Sequence, residues 1–287
     1  MDINKEWFVA KINEFLKDDE SNRMHKVDGS FIYESNVLVG IANGNDTIYN
    51  EYKEIIGEFH LSPPEAYKWY CKMNNIKFEN KNLSVVAYIL PINQETKKEN
   101  FIFSKTMPSE RWANTRLFGE ECNKKIQVYL VDELNKLKIN AFAPTLDRRL
   151  FKVNKEIWAS NWSHRHNCYA AGLGSFGLSD GFINPRGKAM RCGSIIIDLK
   201  LPSDEANRPK DPYQFCFNCV DCISRCPVNA ITFEKGHNKM KCFSHLISTT
   251  PFINQNYGID IYACGLCQVG VSCSNGIPKK KNNNQKL

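Results

Sequence analysis

Four cysteines within eleven residues constrain this chain more than any other stretch: Cys216-Phe217-Asn218-Cys219-Val220-Asp221-Cys222-Ile223-Ser224-Arg225-Cys226-Pro227. The spacing is C-x2-C-x2-C-x3-C-P, a run that holds 4Fe–4S clusters through cysteine thiolates. Cys216 and Cys222 stand six residues apart, about 20 Å of extended chain, whereas the ligands of one cluster converge. The chain therefore has to wrap the metal. In this pattern the fourth cysteine, Cys226, serves a second cluster, so further thiolates are required. Cys242, Cys264, Cys267 and Cys273 supply them. The crossed pattern assigns Cys216, Cys219, Cys222 and Cys273 to one cluster and Cys226, Cys242, Cys264 and Cys267 to the other.

Two other uses of cysteine fit less well. Disulfides need an oxidising compartment, and Met1-Asp2-Ile3-Asn4-Lys5-Glu6-Trp7 contains no apolar h-region of the kind a secretory signal needs. Structural zinc takes four ligands in two C-x2-C pairs, which three evenly spaced cysteines followed by Cys-Pro do not provide. The remaining thiols, Cys71, Cys122, Cys168 and Cys192, are expected to be buried or free.

With 287 residues, 42% of them hydrophobic, the chain can build one large domain and a small one. No apolar run approaches a membrane span of about 20 residues, and the pair Arg148-Arg149 lies mid-chain. The cytoplasm is the expected location, with no membrane partner. The net charge of +7 is modest and its lysines are dispersed, except in the polar tail, residues 279–287, expected to be disordered.

Read in order, residues 5–17 place Phe8, Ile12, Phe15 and Leu16 on one helical face, and 31–33 and 37–41 read as strands. Ser62-Pro63-Pro64-Glu65 has the serine and glutamate of a capping box, so a helix is expected from there to about Met73. Residues 83–90 are continuous and β-branched, a buried central strand stopped by Pro91. A helix over 117–137 carries Ile126, Leu130, Leu134 and Leu137 on one stripe. Strands follow at 139–143 and 194–199, and the stretch from Pro202 to Pro212 reads as a linker. The expected division is 1–82, a mixed α/β segment; 83–205, the core; 206–278, the cluster domain; and the tail.

Between core and cysteines, Gly172, Gly174 and Gly177 have G-x-G-x-x-G spacing. That motif marks a dinucleotide site only after a strand and at the start of a helix. Here residues 164–171 lack β-branched residues and read as helix, while Gly181, Pro185 and Gly187 would break a helix after the motif. Two readings stay open: backbone approaching a large flat ligand, or a purely structural turn.

Ala171-Gly172-Leu173-Gly174 with Phe176-Gly177, then Ile183-Asn184-Pro185, Ile197-Asp198-Leu199 and the cysteine module together resemble the epoxyqueuosine reductases and the related respiratory reductive dehalogenases. The resemblance covers residues 83–278. It implies a nitroreductase-like α/β core followed by a ferredoxin-like double 4Fe–4S domain, with electrons passing through the clusters to cobalamin held base-off by segments matching 172–187. His164 and His166 would then hydrogen-bond a ligand's carboxamides or phosphate, with a structural role as the alternative. Joint metal ligation by an i, i+2 pair on one helix is excluded by geometry. Asn184 would complete the cofactor contacts, Arg186 and Lys188 would meet the phosphate of its nucleotide tail, with a solvated loop as the alternative, and Tyr169 would donate a proton, with packing as the alternative. His237 and His245 are expected at the surface or behind the cluster ligands. An external low-potential donor, a ferredoxin or flavodoxin, is implied.

The chain departs from the family in three ways. The second cysteine set closes as Cys264-x2-Cys267-x5-Cys273 without a following proline. The aspartate of the family's Arg-Asp-Tyr-His segment is replaced within Phe118-Gly119-Glu120-Glu121-Cys122, where Glu121 is the candidate stand-in. Neither the twin-arginine leader of exported dehalogenases nor the helical-repeat tail of many epoxyqueuosine reductases has a counterpart. On these grounds a corrinoid-dependent iron–sulfur oxidoreductase that reduces bound cobalamin, for instance to activate another corrinoid protein, ranks first. Epoxyqueuosine reduction on tRNA, which needs a basic surface tracking phosphates, ranks second. A ferredoxin-type electron carrier without corrinoid is the third reading.

Overall fold

Residues 2–79 and 81–279 are described by a computed structural model; the tail expected over 279–287 lies, but for Lys279, outside the described residues. Residues cluster into two compact units that are interleaved along the chain. Unit 1 takes residues up to Asn93, Asn114–Leu173 and Arg191–Arg208, and unit 2 takes Gln94–Ala113, Gly174–Met190 and everything from Pro209 on. The stretch read as a linker is tied into unit 1 as far as Arg208, whose guanidinium pairs with Asp46 and donates to the Ala170 carbonyl.

Unit 1 is a mixed α/β layer structure. Its sheet has the order β1-β2-β4-β3, with β1 Leu38–Asn43, β2 Leu83–Pro91, β3 Ala141–Phe142 and β4 Met190–Asp198. The pairs β1–β2 and β3–β4 run antiparallel, with Leu38 opposite Ile89 and Ala141 opposite Ile197. Every residue of β2 is buried, as expected of a β-branched run in the middle of a sheet. Helix α1, Lys5–Asp18, covers β1 with Phe8, Ile12 and Leu16 inward. After α2, Ile48–Ile56, helix α3, Pro63–Met73, starts at the expected box, the Ser62 N–H donating to Glu65 Oε2 at 2.8 Å.

Three expectations are corrected. Residues 31–33 form only isolated bridges, Phe31 to Arg23 and Tyr33 to Ile92. The side chain of Asn22 hydrogen-bonds both the N–H and the carbonyl of Tyr33, occupying the groups a ladder would need. Helix α5, Glu110–Lys136, begins at Glu110 rather than near 117, because Ser109 caps it, accepting from the Trp112 N–H at 3.3 Å. The strand expected over 139–143 is shortened to β3 because Lys138 turns the chain at φ +60°.

Unit 2 contains α4, Gln94–Ile102, the first turn of α5, a short hairpin pairing Ser175–Phe176 with Phe182–Ile183, and the cysteine-rich region. That region holds α7, Asp221–Ser224, a hairpin of Ile231–Thr232 with Gly236–His237, then α8, Lys239–Ser248, and α9, Thr250–Tyr257. Helix α6, His164–Ala170, belongs to unit 1 and packs on β2.

Candidate functional site

The cysteine run of unit 2 is coiled rather than extended. Asn218 and Val220 both take left-handed backbone, at φ +56° and +61°. For a β-branched residue such as Val220 this is costly, and it persists only where the surroundings dictate it. The turns bring Cys216, Cys219 and Cys222 round one point. Cys273 is drawn to the same place from fifty residues away: Asp221 accepts from both the backbone N–H and the hydroxyl of Ser272. Cys273 itself forms an apolar cluster with Ile183 and Val271, against which Phe215 and Cys216 pack.

The thiols influence one another in two groups. Burial pushes the Cys273 thiol up to about 11, with Cys219, Cys222 and Cys216 adding to the rise. Burial likewise raises Cys264 to about 12, helped by Cys267, Cys242 and Cys226. Among the described residues no three His, Cys, Asp or Glu side chains converge on a single-ion site. A four-iron cluster asks for a different arrangement, since each thiolate meets its own iron at a corner of the cluster. Clustered thiols, buried or half-buried, among which Cys273 and Cys264 ionise less readily for the presence of the others, fit such a group, because the metal carries the positive charge that thiolates need. Backbone N–H groups already point at two sulfurs, Leu178 at Cys216 (3.5 Å) and Ala230 at Cys226 (3.1 Å).

The expected cofactor contacts of unit 2 are engaged elsewhere. Lys188 is buried, with its Nζ 2.8 Å from Ser179 Oγ and its backbone N–H on the Cys273 carbonyl. Its charge favours ionisation of Cys222, Cys267 and Cys273, members of both groups of thiols. Asn184 spends its amide on the Gly187 carbonyl and its oxygen on the Arg186 N–H, while the Arg186 side chain is exposed. A Cβ on Gly174 would fall 2.2 Å from the Ile183 carbonyl oxygen, and one on Gly177 would fall 3.0 Å from Ile183 Cδ1. His237 pairs with Asp180 at 3.0 Å, and His245 lies on α8.

In unit 1, Gly172 has φ +69°, and a Cβ there would fall 2.7 Å from the Asp204 carbonyl. As a test of a corrinoid cradle this is unfavourable, since the space in front of Gly172 and Gly174 is filled by the chain's own backbone. The two histidines of α6 diverge. His166 meets Ser163 Oγ at 2.8 Å and sits edge-on to Tyr52. His164 Nδ1 meets Ser194 Oγ at 2.8 Å, and that oxygen also receives Trp162 Nε1 and Asn167 Nδ2, both at 3.1 Å. A hydroxyl has two acceptor positions and one hydrogen. With both positions filled, Ser194 donates to Nδ1, so the His164 proton resides on Nε2. Burial and the neighbouring Arg191 guanidinium hold His164 at about 4, neutral. Tyr169 is buried on α6 and Glu121 is exposed on α5. The carboxylate that faces the Arg191 guanidinium is the adjacent Glu120, at 3.3 Å. Ser194, Trp162 and Asn167 carried no sequence signal, because their partnership joins residues about thirty positions apart.

No protein-family model matches the chain. A search of curated proteins finds similarity to the epoxyqueuosine reductase of Staphylococcus aureus, 31% identical over 104 residues, 34% of this chain and 26% of that protein. The Bacillus anthracis enzyme is 25% identical over 150 residues, 50% and 34% of the two chains, and the Vibrio cholerae enzyme 26% over 186 residues, 62% and 47%. Its curated relatives are epoxyqueuosine reductases. The resemblance drawn from the glycine segment and the cysteine module is thereby upheld. The chain spans between about a quarter and a half of the length of the curated relatives it matches. Among solved structures, a catabolic reductive dehalogenase in complex with 3-bromo-4-hydroxybenzoic acid aligns over 94% of this chain and 37% of its own, at TM-score 0.53 and 14% identity, a likeness of fold alone. A selenomethionine-labelled epoxyqueuosine reductase aligns over 96% and 68%, at TM-score 0.49.

These relatives correct the leading functional expectation. The ranking of cobalamin reduction above epoxyqueuosine reduction rests on features of the family that this sequence does not display. Absent features are weaker grounds than similarity present along the chain, and that similarity is to epoxyqueuosine reductases.

Proposed function

We propose that this chain is an iron–sulfur reductase of the epoxyqueuosine reductase type, acting on an epoxide-bearing nucleoside of tRNA. The observation that carries the proposal is the drawing together of Cys273 with Cys216, Cys219 and Cys222 by Asp221 and Ser272, in a chain whose curated relatives bear that name. Cys226, Cys242, Cys264 and Cys267 complete a second set. The clusters, when bound, supply single electrons. Reduction of the epoxide to an alkene breaks two C–O bonds, consumes two electrons and two protons and releases water. An external low-potential donor must provide the electrons.

This chain's own residues bury the thiols, aim backbone N–H groups at two sulfurs and place the Lys188 ammonium beside both sets. Glu121 and Tyr169 are the candidate proton donors. Cobalamin, the further cofactor implied by the resemblance, is assigned no step, because Gly172, Gly174, Asn184 and Lys188 are taken up by internal contacts.

The test is anaerobic reconstitution followed by single turnover on epoxyqueuosine-containing tRNA, with the nucleoside identified by mass. Loss of one oxygen, dependent on about eight irons per chain, is the expected result. A fully loaded, reduced protein that leaves the epoxide intact, with or without added cobalamin, overturns the assignment.

A further inference from the structure

One helix of unit 2 has an unusual surface. Helix α8 runs for ten residues and buries none of them, although it carries Cys242. Met240 and Ile247, seven residues and so about two helical turns apart on one face, are 52% and 46% exposed. The end of α4 and the loop after it continue the apolar surface, with Ile102 68% and Phe103 47% exposed. The two segments adjoin: the His245 ring of α8 lies against the Thr106 backbone, and Phe103 packs on Phe252 and Tyr257 of α9, which contacts α8.

The charge on this surface is mainly positive. Residues 101–108 and 235–250 contain Lys105, Lys235, Lys239 and Lys241, against Glu234 beside Lys235 and Asp180, which pairs with His237. All four lysines are exposed. The same surface is fastened to the second thiol set at two places. Cys242 sits on α8 itself, and at the head of the loop the Asn100 amide donates to the Cys264 carbonyl at 3.0 Å. Arg225, whose guanidinium stacks 4.9 Å over Phe101, also reaches the Leu266 carbonyl between Cys264 and Cys267.

We infer that α8 and the segment 101–106 form the docking surface for an acidic electron-carrier protein, which delivers electrons to the cluster held by Cys226, Cys242, Cys264 and Cys267. This inference rests on the cluster reading above. Exposed apolar side chains ringed by lysines match the small, electrostatically steered interfaces of transient redox pairs, and adjacency to two thiols gives the short path that electron transfer needs. A phosphate backbone would use the lysines but would gain nothing from Ile102, Phe103, Met240 and Ile247.

The test uses the reconstituted holoprotein and an acidic [2Fe–2S] ferredoxin as probe, with reduction followed by bleaching of the visible cluster absorbance. Lys239→Glu/Lys241→Glu is expected to slow reduction by ferredoxin about tenfold or more at low salt, since steering is lost. The deficit should shrink toward 1 M salt, where the Debye length is about 3 Å. Calorimetric affinity for oxidised ferredoxin should fall in parallel, and reduction by dithionite, which needs no docking, should be unchanged. Equal ferredoxin rates in variant and wild type, or an equal loss with dithionite, overturn the inference. So does a variant that loses tRNA binding while keeping its ferredoxin rate. A wild-type protein that takes up no iron would defeat the cluster reading and this inference with it, whereas a loaded protein indifferent to the charge reversal defeats this inference alone.

Discussion

Ser194→Ala tests the reading of His164 most directly. Ser194 Oγ is the common partner of Trp162 Nε1, Asn167 Nδ2 and His164 Nδ1. The serine, tryptophan and asparagine are all buried, with the serine fully so. Removing the hydroxyl orphans two buried donors, each worth about 1–3 kcal/mol, so unit 1 should lose roughly 2–6 kcal/mol. At about 2–4 °C per kcal/mol for a chain of this size, its melting temperature should drop by about 4–24 °C. Trp162→Phe makes a sharper companion. It frees one acceptor position on Ser194, so the Ser194 hydrogen is no longer forced toward His164 and both ring tautomers become accessible. Long-range 15N–1H spectra of the histidine rings read this out: the wild type should show His164 protonated at Nε2 alone, and Trp162→Phe should show a mixture. A wild-type Nδ1–H tautomer, or a His164 titration midpoint near its ordinary 6.5, would refute the argument.

The buried His60, whose ring nitrogens have no hydrogen-bond partner among the described residues, is likewise held down at about 4 by burial, then by Lys53. For both histidines the folded value lies below the unfolded one. Stability is therefore complete above about pH 6.5 and lost as the pH falls toward 4, by about 3 kcal/mol for His60 and less for the half-buried His164; urea midpoints across this window measure it, and His60→Phe should flatten the curve. Cys273→Ser should cut the iron content of the reconstituted protein from about eight to about four per chain, and an unchanged iron count would remove Cys273 from the ligand set despite its neighbours. Lys188→Met should lower the cluster reduction potentials by tens of millivolts, on the order of 59 mV for each 1.4 kcal/mol of lost charge stabilisation, as followed by spectroelectrochemical titration with iron content as the control for folding.

What the sequence determined by itself was the chemistry set by local spacing. A capping box and a β-branched strand are read over a few residues, so the start of α3 and the buried β2 were legible in the chain. Residues 164–171, which lack β-branched residues, form α6 as far as Ala170 for the same reason. Tertiary structure alone decided the roles of residues whose partners lie far away in the chain. Gly172 and Gly174 looked like positions kept open for a ligand, yet Asp204 and Ile183 bring backbone oxygens to where their side chains would stand. Lys188 looked like a phosphate ligand, but it is buried against Ser179 and among thiols contributed by residues 222–273. His164 was one of a pair in sequence and became one arm of a hydroxyl-centred network, because Ser194 on β4 meets α6 only once the sheet has formed. A spacing fixes which atoms can share a metal. It does not fix what fills the space in front of a glycine or beside a lysine, because that is set by the packing of chain segments brought together from elsewhere.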